Sequence, residues 1–71
     1  MNALTLKALA LAKEFNQTQY IFCTSARWFI QPSAPSFERQ HIRCEPCGTA
    51  TYRTFNHVTE AWEETIIGKG A

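Results

Sequence analysis

The chain has no aspartate, three glycines, and no apolar run long enough to cross a membrane. Without Asp, no pair of carboxylates stands in an evident acid/base arrangement, and three glycines make no phosphate-cradling loop. Lys7 and Lys13 break up the Leu- and Ala-rich start, and no basic region precedes it. It therefore does not read as a secretion signal, and nothing approaches the roughly 20 apolar residues of a membrane span. Internal repeats and low-complexity stretches are also missing. Cysteine is scarce and odd in number, at three. The expected compartment is the cytoplasm, where thiols stay reduced and a CxxC pair more often marks metal or redox chemistry than a structural disulfide. Neither sign of charge is in large excess, and the net +1 is too little for a general electrostatic grip on nucleic acid.

What is present is a composition that folds. Of 71 residues, 45% are hydrophobic and 13% aromatic, unlike a disordered segment. The length suits one domain with a small core, the size at which a metal, a disulfide or a partner subunit commonly assists. A Cys–His nucleophile is chemically conceivable, but a domain this small has little room for a water-excluding pocket. The expectation is a binding protein and not an enzyme.

Hydrophobic spacing predicts a helix over residues 3–16, capped by Asn2, with Leu4, Ala8, Leu11, Ala12 and Phe15 on one face and Leu6 and Leu9 widening it. Such a stripe more often covers a sheet than docks a partner. β-Rich composition predicts strands over 19–23 and 27–31, then a loop containing Pro32 and Pro35, whose missing donors stop sheet pairing. Strands follow over 37–43 and 49–55. A second helix is predicted over 57–67, with Asn56 as its cap and Val58, Ala61, Trp62, Thr65 and Ile66 as its buried stripe. Gly68 would end that helix and Lys69 would sit near its negative end.

Between the last two strands lies Cys44-Glu45-Pro46-Cys47-Gly48. Two thiols two residues apart in a tight turn are half of a structural zinc site. The strand-favouring residues that follow argue against a redox CxxC, which normally opens a helix. The other candidate ligands are Cys23, His41 and His57. Alternation turns His41 away from Cys44, so His57 is the preferred fourth ligand beside Cys23, Cys44 and Cys47. The competing reading has no metal, with the thiols as small apolar groups.

Tyr20-Ile21-Phe22-Cys23-Thr24-Ser25, the aromatic run Arg27-Trp28-Phe29-Ile30, the CxxCG knuckle and Thr59-Glu60-Ala61-Trp62 together resemble the short phage and prophage restriction-alleviation (Lar-type) zinc-ribbon proteins. The resemblance spans residues 20–63. Tyr20 stands where that family has its first Cys, and Thr24 where it has Gly. The resemblance implies an α+β fold with a zinc-ribbon-like antiparallel hairpin core, flanked here by a helix at each end. It also implies a phage or prophage origin and a zinc site with one ligand replaced or lost. The implied role is inhibition or modulation of a host enzyme, a restriction nuclease; RNA polymerase is a second target, since ribbon-like modules recur in transcription machinery.

The runner-up function comes from one predicted strand face. Phe37, Arg39, His41 and Arg43 share a side by alternation, and Arg53 is expected on the next strand. Arginines interleaved with aromatics on a sheet can hold single-stranded nucleic acid through phosphate contact and stacking. The plainer reading is a solvated or protein-binding face. A double-stranded RNA-binding fold is disfavoured, because Glu60, Glu63 and Glu64 on the final element would repel phosphate.

Overall fold

The computed structural model describes residues 2–24, 27–36 and 39–69. It is an α+β fold, in which one helix packs against a five-stranded antiparallel sheet of order β2-β1-β3-β4-β5. Helix α1 spans Ala3–Phe15. Its start is fixed by Asn2, whose side-chain Oδ1 accepts the Thr5 N–H at 2.8 Å, satisfying one of the orphan donors of the first turn. Its end is fixed by Asn16 in the left-handed region (φ 49°), which lets the Gln17 N–H return to the Ala12 carbonyl at 3.0 Å. The buried face is made of small side chains, Thr5, Ala8 and Ala12. These allow the helix to lie close to the sheet, whereas Phe15, expected on that face, is exposed.

The strands are β1 (Gln19–Thr24), β2 (Arg27–Gln31), β3 (His41–Cys44), β4 (Ala50–Asn56) and β5 (Ala61–Gly68). β1 pairs with β2 on one side, where Phe22 faces Phe29, and with β3 on the other, where Ile21 faces Ile42. β3 and β4 form a hairpin across the Glu45–Thr49 turn, with Cys44 opposite Ala50. In that turn the Glu45 N–H donates to the Thr49 carbonyl and the Gly48 N–H to the Glu45 carbonyl, both at 2.9 Å. Gly48 takes φ 98°, a conformation a Cβ would penalise. The Pro-containing segment after β2 carries the chain back past β1 to β3, since those two strands are not neighbours.

Two expectations are corrected here. Residues 57–67 do not form a helix: 57–60 are a turn and Ala61–Gly68 is the edge strand β5. Asn56 does cap, but it caps a turn. Its Oδ1 accepts the Val58 N–H at 2.9 Å and the Thr59 N–H at 3.2 Å, and Glu60 in the left-handed region (φ 56°) then reverses the chain into β5. Val58, assigned to a buried stripe, is 93% exposed. The expected strand over 37–43 begins only at His41. Before it, the Arg39 N–H closes a turn on the Ser36 carbonyl at 2.9 Å, and the Gln40 side chain is held by the hydroxyls of Tyr52 and Thr54. Phe37 lies outside the described residues.

The strand period of two sorts the side chains onto two faces. Gln19, Ile21, Ile30, Ile42, Cys44, Ala50 and Tyr52 point toward α1. Ile21, Ile42, Cys44 and Ala50, with Ala8 from the helix, form the core, flanked by Leu4, Leu9, Ile30 and Tyr52. The opposite face carries Tyr20, Phe22, Arg27, Phe29, His41, Arg43, Thr51, Arg53, Phe55, Trp62, Glu64 and Ile66, as the registers require.

Candidate functional site

The face turned away from α1 is built from alternate residues of every strand. Arg27, Arg43 and Arg53 project from β2, β3 and β4. Arg39 precedes β3, yet its Nη1 donates to the Cys23 carbonyl at 3.1 Å and its guanidinium lies 5.6 Å from the Phe22 ring centroid. All four arginines of the chain therefore sit on this one face. Lys7 and Lys13 belong to α1, and Lys69 follows β5.

Three of those arginines lie over aromatic rings. Besides Arg39 on Phe22, Arg27 sits 5.6 Å from the Phe29 centroid and Arg53 5.0 Å from that of Trp62. Each arrangement uses the attraction between a cation and the negative ring face, and it keeps the planar guanidinium presented along the sheet. The rings also contact one another. Phe22 and Phe29 are a cross-strand pair at 6.0 Å, Phe55 meets Trp62 edge-on at 5.5 Å, and Tyr20 meets His41 edge-on at 5.8 Å. His41 is buried, with Nδ1 2.7 Å from the Arg39 carbonyl oxygen.

Glu64 is the acid among them. Its Oε2 lies 3.6 Å from Arg43 Nη1 and 3.4 Å from Arg53 Nη1. One carboxylate oxygen thus bridges two guanidiniums and offsets part of their field. Tyr20, Ala34, Pro35, His41, Arg43, Arg53 and Glu64 enclose a shallow depression of about 380 Å³ there. The two faces of β5 differ in chemistry, for Glu63 points to the other face and accepts from the Asn56 side-chain amide at 3.2 Å.

The expected zinc ligands are scattered by the register. Cys44 and Cys47 share the β3–β4 turn. Gln19 is the β1 partner of Cys44, and Cys23 lies four residues further along β1, about 13 Å at strand pitch. His57 follows the far end of β4, seven residues beyond Ala50, the partner of Cys44, or about 23 Å at strand pitch. There it meets the Phe55 ring edge-on at 5.0 Å. Among the described residues, no group of three or more His, Cys, Asp or Glu side chains is placed to hold a metal ion.

The two turn thiols have opposite environments. Burial pushes the Cys44 thiol up to about 11. Cys47 is exposed and the pKa of its thiol is lowered, first by hydrogen bonding with the Thr49 side chain, whose Oγ1 lies 3.3 Å from Sγ and can donate to the thiolate. Cys23 is exposed.

Sequence reasoning named Arg39, Arg43 and Arg53, and the structure brings all three to one face. It missed Arg27, Phe22, Phe29, Trp62 and Glu64. The first three lie on strands that the sequence predicts, where alternation along each strand was the signal that could have found them; Trp62 and Glu64 were hidden by the helical reading of their segment. Among the described residues, no helix is long and apolar enough to cross a membrane. Comparison of the chain with family models, curated proteins and solved structures finds no match in any of the three.

Proposed function

We propose that the face of the sheet turned away from α1 binds single-stranded nucleic acid, with the arginines contacting phosphates and the rings of Phe22, Phe29 and Trp62 stacking on bases. One observation carries this reading: all four arginines gather on the aromatic face, while the three lysines lie elsewhere. Clustered arginine over aromatic rings is the chemistry that recognises a chain alternating between anion and flat ring. The small net charge limits the affinity, and Glu64 limits it further. Binding is therefore of modest strength and acts through positioning more than through a long-range field.

Docking on a host enzyme, a restriction nuclease or RNA polymerase, is the rival reading. It rests on the resemblance to the restriction-alleviation proteins, and the separation of Cys23 from the Cys44–Cys47 turn gives that resemblance no geometric support. Zinc does not enter the proposed function for the same reason.

Fluorescence anisotropy with a labelled single-stranded oligonucleotide separates the two. The chain should bind at low salt, and the double variant Arg43→Gln/Arg53→Gln should lose about tenfold or more in affinity, the scale of a lost charge-assisted contact. Lys7→Gln/Lys13→Gln should leave binding unchanged. No binding at low salt, or equal losses in the arginine and lysine variants, would remove nucleic acid from consideration and leave a protein partner.

A further inference from the structure

The sheet has two edges, β2 and β5, and they are guarded differently. β5 carries adjacent Glu63 and Glu64, and its pairing with β4 is irregular at Ala50/Thr51. Antiparallel pairing of two β5 strands would bring four carboxylates together. Charges and bulges of this kind are what keep an edge from adding another strand. β2 reads Arg27-Trp28-Phe29-Ile30-Gln31, with no acid and one charge at its end. Trp28 is 57% and Phe29 39% exposed there.

We propose that two copies of this chain associate through β2, pairing antiparallel about a two-fold axis at Phe29. The register is dictated by composition. With Phe29 facing its own copy, Trp28 faces Ile30 and Arg27 faces Gln31, so no like charges oppose and each apolar residue meets another. Aromatic–aromatic and aromatic–β-branched pairs are the favourable cross-strand combinations. Pro32 follows at once and confines the pairing to this strand.

The backbone agrees with the side chains. Thr24 and Arg27 are partners separated by two residues, so they form the hydrogen-bonded pair that closes a two-residue hairpin. Alternation then makes Phe22 and Phe29 a bonded pair and turns the amides of Trp28 and Ile30 outward. Those outward amides are the groups that Trp28 and Ile30 of the second copy would satisfy reciprocally. Phe29 sits on the axis as the non-bonded pair, where Cα atoms approach to about 4.5 Å.

The product is one continuous sheet in which both helices lie on one side and both arginine faces on the other, because the axis runs perpendicular to the sheet. This dimer does not depend on the nucleic-acid reading. It would join the two β2 edges whatever the arginine face binds, and it leaves the two Phe29 rings side by side on that face.

The test is the oligomeric state of the full chain by sedimentation across a dilution series. A dimer is expected for the unaltered chain. Phe29→Lys, which places two lysines face to face, should weaken it by about tenfold or more while circular dichroism stays native. Thr65→Lys on β5 should leave it intact. In a Cys23→Ser/Cys47→Ser background, Phe29→Cys should form an intermolecular disulfide on mild oxidation, as the spacing across a non-bonded pair allows. A chain that is monomeric at every concentration, a dimer indifferent to Phe29→Lys, or cross-linking through Thr65→Cys in place of Phe29→Cys would each overturn the proposal.

Discussion

Cys44 and Cys47 are three positions apart in sequence, and the surrounding packing makes them chemically different. Cys44 lies in the core between Ile42 and Ala50, so forming its thiolate means stranding a charge in apolar surroundings. Cys47 faces water, with Thr49 to support its anion. An alkylating reagent near neutral pH should therefore modify Cys47 and Cys23 in the native protein and reach Cys44 only on unfolding, which intact-mass spectrometry reads directly. The sign of the pH effect follows. The folded state holds the Cys44 proton up to about pH 11, against an ordinary value of 9.0. Between those values the unfolded chain has lost a proton that the native chain keeps, so this group's contribution is intact below about pH 9 and disappears as the pH rises through 11. Cys44→Ala should flatten that alkaline decline in a urea-unfolding series. Thr5 poses a second test at this scale. Its hydroxyl is buried with no hydrogen-bond partner among the described residues, and an unsatisfied buried polar atom is costly, whereas an apolar group of the same shape is not. Thr5→Val should raise stability by about 1 kcal/mol, measured as an upward shift of the urea midpoint at unchanged slope.

At the scale of elements, α1, β1, β2 and the β3–β4 hairpin were legible because each has a single strong signal: a helical stripe begun by Asn2, a β-rich run, or a Pro-Cys-Gly turn. The segment after Asn56 carries two signals at once. Val58, Ala61, Trp62, Thr65 and Ile66 fit a helical stripe, yet the same letters include Trp, Thr and two Ile, which favour a strand. An edge strand wet on much of both faces shows no clean alternation, so period alone could not decide. The local chemistry decides it: Asn56 closes a turn on Val58 and Thr59, and cross-strand pairs Phe55–Trp62 and Arg53–Glu64 fix the register. The zinc expectation failed to gather its ligands for a related reason. Which residues meet depends on strand order, and the placement of β1 between β2 and β3 puts Cys23 at the opposite end from Cys44. Asn56→Ala removes the side chain that organises the turn and should cost about 1 kcal/mol, the scale of a lost local side-chain–backbone bond. Hydrogen exchange should show the loss as faster exchange confined to β5 and the end of β4, with β1 and β3 unchanged.

The whole molecule measures 37 × 27 × 19 Å, and its thin dimension holds one sheet and one helix. Its stabilising core is correspondingly one-sided, pressed between α1 and strands β1 and β3. Ile21 is the largest side chain that is fully buried there. Truncating such a residue removes about 2–5 kcal/mol. A native domain of this length has roughly 4–11 kcal/mol in total, so Ile21→Ala should remove a large share of the stability, read as a sharply lowered urea midpoint. Trp62 belongs to the other face, where it meets the Phe55 ring edge-on and lies under the Arg53 guanidinium. Trp62→Ala should therefore keep a native circular dichroism spectrum and a clear unfolding transition, while oligonucleotide affinity falls by the roughly 1–3 kcal/mol of one stacked base. The two variants dissociate folding from binding because the layers that carry them are different. Should Ile21→Ala melt like the unaltered chain while Trp62→Ala unfolds, the aromatic face would be the true core. It would then be sealed by something else in solution, and neither the stacking role nor an open binding surface could stand.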